Sequence, residues 1–416
     1  MKVVTILGRI AKNEKFGIPI YRYDDKLKGS FSLKRERYIN MFSLLIDNFG
    51  AQNVVPIFTK LAKEAQTKVL MEEFHAEYNE IFDDRNFIDD EKDFYKILRI
   101  INDATSGNEE YIIDLSHGFR HIPILATISL ISQSLNNTNK IKHIFFAKEK
   151  VPYKNYEIID LKEYLELANM SYVLESFNHN YTVALVSKFK NKNFRDLASQ
   201  LSTISNHILS NSLKALNNDI SKILNNIDFI LKNEQIETFK SSLEDIRQHI
   251  MELQRIGVEK DSTKFYKMSR ILTPKGYLLN AITLLFEAIG YYCAESFECF
   301  GDDIKTHINN FKKSKEFNAY DLTHESRTFV KRMKLRGEVY LTEDGGMAYT
   351  SIQKKLKSIK ALSNFGDFIK DAEKLRNNLA HGNAREKIED SKRELLKLLD
   401  KYNSFCIQQN ILGNKI

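Results

Sequence analysis

The stretch "YIIDLSHGFRHIPILATISLISQSL", residues 111 to 135, decides the fold. Tyr111, Ile112 and Ile113 form an apolar, β-branched run of strand length, and from Ile122 onward apolar residues continue for the length of a helix. Between the two, an Asp, a Ser, two His and an Arg crowd around Gly118. A strand that breaks at a glycine-bearing loop and turns into a helix is the building unit of a doubly wound sheet. In such sheets ligands sit beyond the carboxyl ends of the strands.

The same alternation extends outward over residues 1 to 165. "KVVTIL", "NVVPIF", "HIFFA" and "YEIID" read as further strands, and "LKRERYINMFSLLIDNF" and "DFYKILRIINDA" as helices. Continuous apolar strands separated by helices predict a parallel sheet covered on both faces, a Rossmann-like α/β domain. From 166 to 416 the pattern changes to long helical periods, which predicts an all-α domain. Its one exception is 337 to 350, "GEVYLTEDGGMAYT", where Asp344, Gly345 and Gly346 separate two short β-like runs and predict a hairpin.

Composition narrows the class. With 43% hydrophobic residues and five prolines in 416 residues, the chain is globular and helix-rich, long enough for two cores. Its formal charge of +7 permits a polyanionic partner without requiring one. Three cysteines, Cys293, Cys299 and Cys406, have neither the number nor the spacing of a disulfide frame or zinc site, so they read as reduced thiols and no metal is expected. The apolar amino-terminal stretch is too short for a signal-peptide core, and the window "YLLNAITLLFEAIGYYCA" carries Asn280 and Glu287 and reads as a buried helix. A cytoplasmic protein without a membrane partner is expected.

The cluster at 114 to 121 has two readings of similar weight. In the first, Gly118 lets the backbone approach a ligand, the start of the following helix favours an anion, and His117 and Arg120 add charge-assisted donors while Phe119 offers a face for a base. In the second, Asp114 and Ser116 merely cap the helix and the rest are turn residues. Gly8 and Arg9, after the first strand, repeat the pairing of glycine with a basic residue, and two such strand ends favour a phosphate-bearing ligand. No Gly-x-Gly-x-x-Gly follows that strand, which argues against a dinucleotide held in the usual way.

A second constellation lies in "FGDFIKDAEKLRNNLAHGN", residues 365 to 383. Phe365, Phe368, Ile369, Ala372, Leu375 and Leu379 make one apolar stripe, and Arg376 falls inside it. His381 follows five residues on, about 7.5 Å along the axis and about 140° around it, just before a helix-stopping Gly382. One regular helix does not bring both side chains to one atom, whereas a frayed end or a second copy across a two-fold axis does. An Arg to hold phosphate and a His to exchange protons suit metal-free phosphodiester cleavage. An interior Arg paired with a carboxylate and a His capping the helix is the competing reading.

These residues resemble a known family. "DLSHGFRHIP" is similar to the Asp-x-Ser/Thr-His-Gly-x-Arg segment of CARF sensor domains, and "RNNLAHG" is similar to the Arg-(polar)-x-x-x-His signature of HEPN ribonucleases. Both occur in this order in ancillary ribonucleases of type III CRISPR systems, in which a helix like "GYLLNAITLLFEAIGYY" also occurs. The resemblance implies a homodimer whose CARF domains bind a cyclic oligoadenylate, with cyclic tetra-adenylate the expected ring. Binding then activates a composite HEPN site that cuts single-stranded RNA. It implies that Gly8, Arg9, Ser116, His117, Gly118, Phe119 and Arg120 contact the activator and that Arg376, Asn377 and His381 form the nuclease site.

Phe311 to Arg336 carries eight basic and three acidic residues, either a solvated helix face or a funnel for RNA. A basic helix before a hairpin is also the outline of a winged helix, so a DNA-binding CARF regulator is the rival from another class. A ring nuclease that degrades its own cyclic oligoadenylate through His117 or Arg120 is the third.

Overall fold

Unbroken apolar and β-branched residues at the amino terminus form β1 (Lys2–Ile6), buried on both faces from Val3 onward. The chain continues through β2 (Ile20–Tyr23), α1 (Met41–Phe49), β3 (Val54–Ile57), α2 (Lys60–Phe74), α3 (Phe94–Ala104), β4 (Tyr111–Asp114), α4 (His121–Leu135), β5 (Ile141–Val151) and β6 (Asn155–Asp160). This computed structural model describes the chain apart from residues 10–16, 91, 118–120, 136–139, 184–188, 233–238, 315–316, 334–338, 341–346, 383–386 and 414–416. The chain divides into two units. One comprises Met1–Ser176, Val183–Ala198 and Gln235–Phe239, and the other Phe177–Thr182, Ser199–Glu234 and Lys240–Ile416.

The first unit is built on a six-stranded sheet of order β2-β6-β5-β4-β1-β3. Alternate residues of its central strands feed two cores. Val3 and Ile112 pack with Leu44 and Leu45 of α1 and Leu70 of α2. Val4, Ile6 and Ile113 pack on the other face with Ile97 and Ile101 of α3 and Ala126 and Leu130 of α4. The helices start on cues in the sequence. Asn40 and Ser43 form a capping box on α1, Thr59 caps α2 and Asp93 caps α3. Pro123 occupies the first turn of α4, where its missing amide proton costs nothing.

The sheet is mixed rather than parallel throughout. Strands β1, β3, β4 and β5 run together, but β6 is antiparallel to β5 and β2 is parallel to β6. Only three residues, 152 to 154, join β5 to β6, and a link that short cannot make a parallel crossover.

The second unit holds the helical remainder. Helices α5 (Lys162–Asn180) and α6 (Lys192–Leu209) each run through both units, followed by α7 (Leu213–Leu231), α8 (Lys240–Gly257), α9 (Asp261–Leu272) and α10 (Leu278–Phe297). Then come α11 (Asp302–Lys313), α12 (Ala319–Arg332), α13 (Met347–Lys357), α14 (Leu362–Ala380) and α15 (Ile388–Tyr402), with a π-helical turn at Asn403–Gln408. The apolar window that carries Asn280 and Glu287 forms α10, buried nearly all round and packed against α9, α12, α14 and α15. Tyr402 locks this centre by stacking on Tyr266 at 4.6 Å and donating to the Ser262 carbonyl at 3.0 Å. No described helix is long and apolar enough to cross a membrane.

The hairpin expected over 337 to 350 is not what its second arm forms, because residues 347 to 350 open α13. Ala348, Ile352 and Leu356, all buried, repeat every four residues, and that helical period outweighs the local β preference of Tyr349 and Thr350. Val339 and Tyr340 are buried, and 337–338 and 341–346 lie outside the described residues.

Candidate functional site

Strand β1 has β3 on one side and β4 on the other, so the chain reverses its direction of winding between β1 and β4. That switch point opens a crevice at the carboxyl ends of the two strands. Gly8 and Arg9 leave β1 there, and Ser116 and His117 leave β4 there.

Asp114 organises this end. It is fully buried, and a buried carboxylate needs donors to replace water. Thr5 Oγ1 donates to Oδ2 at 2.7 Å, and the Ser116 amide and hydroxyl donate to Oδ1 at 3.1 and 2.5 Å. The Ser116 hydroxyl also accepts from the Ala147 amide at 2.8 Å, which ties the loop after β4 to β5.

His117 turns toward the start of α1. Its Nε2 accepts from the Met41 amide at 3.4 Å, which makes it the unprotonated nitrogen of the ring. Burial holds this imidazole below its ordinary pKa, with the Asp114 carboxylate pulling the other way. Next to Met41, the Asn40 side chain donates to Gln66 Oε1 at 2.8 Å, and Gln66 Nε2 donates to the Gly8 carbonyl at 2.9 Å. The two loops are thus joined through the amino end of α1, whose dipole favours an anion. Arg9 is exposed. Gly118, Phe119 and Arg120 lie outside the described residues.

In the second unit the apolar stripe of α14 is as expected. Phe365, Phe368, Ile369, Ala372 and Leu375 are buried, and Arg376 is half-buried beside them. Its guanidinium stands 5.2 Å from the Phe286 ring of α10. No carboxylate lies within ion-pair distance of Arg376 among the described residues. Asn377 and His381 are exposed, and His381 is the residue that ends α14, its amide donating to the Asn377 carbonyl at 3.0 Å. Gly382 follows at φ +64°, the left-handed turn that stops the helix. No hydrogen bond joins Arg376 to His381 among the described residues.

A second arginine, which the sequence offers only as one member of the basic run at 311 to 336, stands beside Arg376. Arg327 of α12 is 2% exposed, sits 3.7 Å from the same Phe286 ring and donates to the Phe286 carbonyl at 2.9 Å. Glu287 Oε2 lies 4.0 Å from it and accepts from Thr323 Oγ1 at 3.1 Å. Burial lowers the Arg327 pKa; Glu287 opposes that shift and Arg376 adds to it. Lys331, on the same helix, pairs with Glu373 of α14 at 2.6 Å. Arg327 and Lys331 belong to the basic run at 311 to 336, so that run is not simply a solvated face. The signal was available: Arg327 falls on the stripe of Leu322, Thr323, Ser326 and Val330, as Arg376 falls on that of α14.

The helical site therefore presents two guanidiniums around an aromatic ring, one of them without a carboxylate partner among the described residues, a turn and a half from an exposed histidine. That set can hold a phosphate and exchange a proton. Among the described residues, no group of three or more His, Cys, Asp or Glu is placed to hold a metal ion.

No family model matches the chain. It is 26% identical over 130 residues to a CRISPR-associated protein of Methanocaldococcus jannaschii, a match covering 30% of this chain and 20% of that protein. The chain thus spans about a fifth of the length of the curated relative it matches. Among solved structures it is similar to Enterococcus italicus Csm6 bound to cyclic hexa-2'-fluoro-hexa-dAMP, at 14% identity and a TM-score of 0.33, with 97% of this chain and 93% of that one covered. Over nearly a third of its length, then, this chain is similar to a CRISPR-associated protein.

Proposed function

We propose that the protein is an endoribonuclease of type III CRISPR defence, switched on by a cyclic oligoadenylate bound at the β1/β4 crevice, working as a homodimer in the cytoplasm. In this reading residues 1 to 165 are a CARF sensor domain and 166 to 416 a HEPN effector domain. The observation that carries it is the half-buried Arg376 guanidinium, without a carboxylate partner among the described residues, five residues before an exposed His381. An unpaired guanidinium against an apolar wall calls for an anion, and an RNA phosphate supplies one.

The chemistry balances without a further reactant. The ribose 2′-oxygen attacks the adjacent phosphorus and gives up its proton, the bond from phosphorus to the 5′-oxygen breaks, and that oxygen takes a proton. The products are a 2′,3′-cyclic phosphate and a 5′-hydroxyl. His381 moves the proton, Arg376 offsets the charge growing on the phosphoryl oxygens, and Asn377 helps orient the strand. A partner copy would bring the second Arg376 and His381 to a shared site, as their separation on one helix requires. Since protein groups supply both functions, chelation of metal leaves the rate unchanged in this scheme.

Labelled single-stranded RNA tests the reading, with wild type, Arg376→Ala and His381→Ala, each alone and with cyclic tetra- or hexa-adenylate. Cleavage that needs a ring and falls by about a hundred-fold or more in both variants supports it; undiminished cleavage in the variants overturns the site. Arg120→Ala and His117→Ala are expected to lose activation while the effector half stays folded. The DNA-binding alternative has lost the second arm of its wing to α13.

A further inference from the structure

The geometry points to a second anion site in the first unit, a phosphate-monoester pocket built by His143, Lys162 and Lys190. Strands β2 and β6 run against β1 and β4, so their carboxyl ends open at the opposite end of the strands from Gly8 and Ser116. A cleft of about 380 Å³ lies there, the size of a small-molecule site, lined among others by Lys26, His143, Asp160, Lys162, Glu166 and Lys190.

Its acidic groups are already engaged. Asp160 accepts from His143 Nδ1 at 2.7 Å and from the Ile144 and Lys162 amides at 3.0 and 2.9 Å. Glu166 accepts from the Lys190 and Asn191 amides at 2.8 and 3.1 Å. Glu163, the remaining carboxylate of the cleft, pairs with Lys26 at 2.7 Å.

The donors are not spent. Neither the Lys162 nor the Lys190 ammonium has an ion-pair partner among the described residues. Burial lowers the Lys162 pKa, and the nearby Lys190 charge lowers it further, while Glu166 and Asp160 act in the other direction. Two like charges held beside one cavity are relieved by an anion. His143 adds a fixed ring. Asp160 holds Nδ1, which leaves Nε2, without a hydrogen-bond partner among the described residues, available to a phosphate group. Phosphate offers enough oxygens for all three groups, and the cleft has room for the nucleoside of a mononucleotide.

Calorimetric titration of the full chain with inorganic phosphate and, separately, with AMP tests the site. One saturable site per chain is expected for at least one probe. Tighter binding of AMP would mark a nucleotide as the natural ligand, and equal binding would mark the phosphate alone; either outcome supports the pocket. Lys162→Gln and Lys190→Gln are each expected to weaken binding by about ten-fold, and the double variant to abolish it. Lys148→Gln, on an exposed part of β5, should leave it unchanged. Lys162→Arg should keep binding and shows that the pocket still folds. Absence of saturable binding, or full affinity in the double variant with an unaltered melting temperature, would each overturn the proposal.

Discussion

At the scale of the residue, the helical site depends on how closely α10, α12 and α14 approach. Gly290 of α10 permits that approach: a Cβ there would lie 2.5 Å from an Arg327 guanidinium nitrogen and 2.7 Å from Thr323 Cβ. Gly290→Ala is therefore expected to displace Arg327 and cost about 1 to 3 kcal/mol of stability, as overpacking does. Denaturant melts would show it, and an unchanged midpoint would mean that the helices can separate without penalty. Arg327→Met removes a buried charge together with the donor to the Phe286 carbonyl. It should reduce RNA cleavage through Arg376 more than it lowers the melting temperature, measured by cleavage rate and thermal melt side by side. Asp114→Asn weakens the acceptor for Thr5 and Ser116 and is expected to cost about 1 to 3 kcal/mol.

At the scale of the element, one pH dependence follows from the carboxyl end of α5. Tyr181, which ends that helix at φ +51°, is hydrogen-bonded to His249 Nε2 of α8, with Lys275 Nζ 4.6 Å above the tyrosine ring and Glu252 3.8 Å from His249 Nδ1. Burial, and after it the Lys275 charge, push the His249 pKa down to about 4. The unfolded chain binds this proton near pH 6.5 while the folded one does not until about pH 4, so folded stability falls as pH drops through that window. The contribution is on the order of 3 kcal/mol at most, at about 1.4 kcal/mol per pH unit. His249→Gln should flatten a plot of melting temperature against pH between 4 and 6.5; an unchanged slope would assign the effect elsewhere.

Legibility at this scale followed the strength of the local period. The apolar runs of β1, β3, β4 and β5 and the stripes of α3 and α14 are long and were readable from spacing alone. Strand β2 was not, because its four residues, Ile20 to Tyr23, bury only Tyr21 and Tyr23 and its partner β6 is more than a hundred residues away. The antiparallel turn of β6 was readable in principle, since only three residues separate it from β5. Of the two sites, the helix end at His381 and Gly382 was legible from the glycine. Arg327 is legible only from the stripe of α12, on which it sits as Arg376 sits on that of α14. Asn40 reads as a helix cap and Gln66 carries no motif, so the link they make from Gly8 to the start of α1 appears only in the folded chain.

At the scale of the whole molecule, the proposal divides labour between a sensor crevice in one unit and a cutting site in the other. The excess of seven positive charges suits two polyanionic ligands. Cleavage should weaken steeply as salt rises, because phosphate contacts release counterions. A composite site also requires two copies. Sedimentation of the full chain should report a dimer, and a monomer that still cleaves RNA would remove the need for the partner's His381 and Arg376.

The most direct test of the central claim, that Arg376 and His381 drive attack by a 2′-hydroxyl, uses a DNA oligonucleotide containing one ribonucleotide. With activator present and fragment ends read by mass, wild type is predicted to cut only after the ribonucleotide, leaving a 2′,3′-cyclic phosphate and a 5′-hydroxyl, and Arg376→Ala and His381→Ala are predicted to leave it intact. Cutting at deoxynucleotides, 5′-phosphate ends, or equal cutting by the variants would contradict the account.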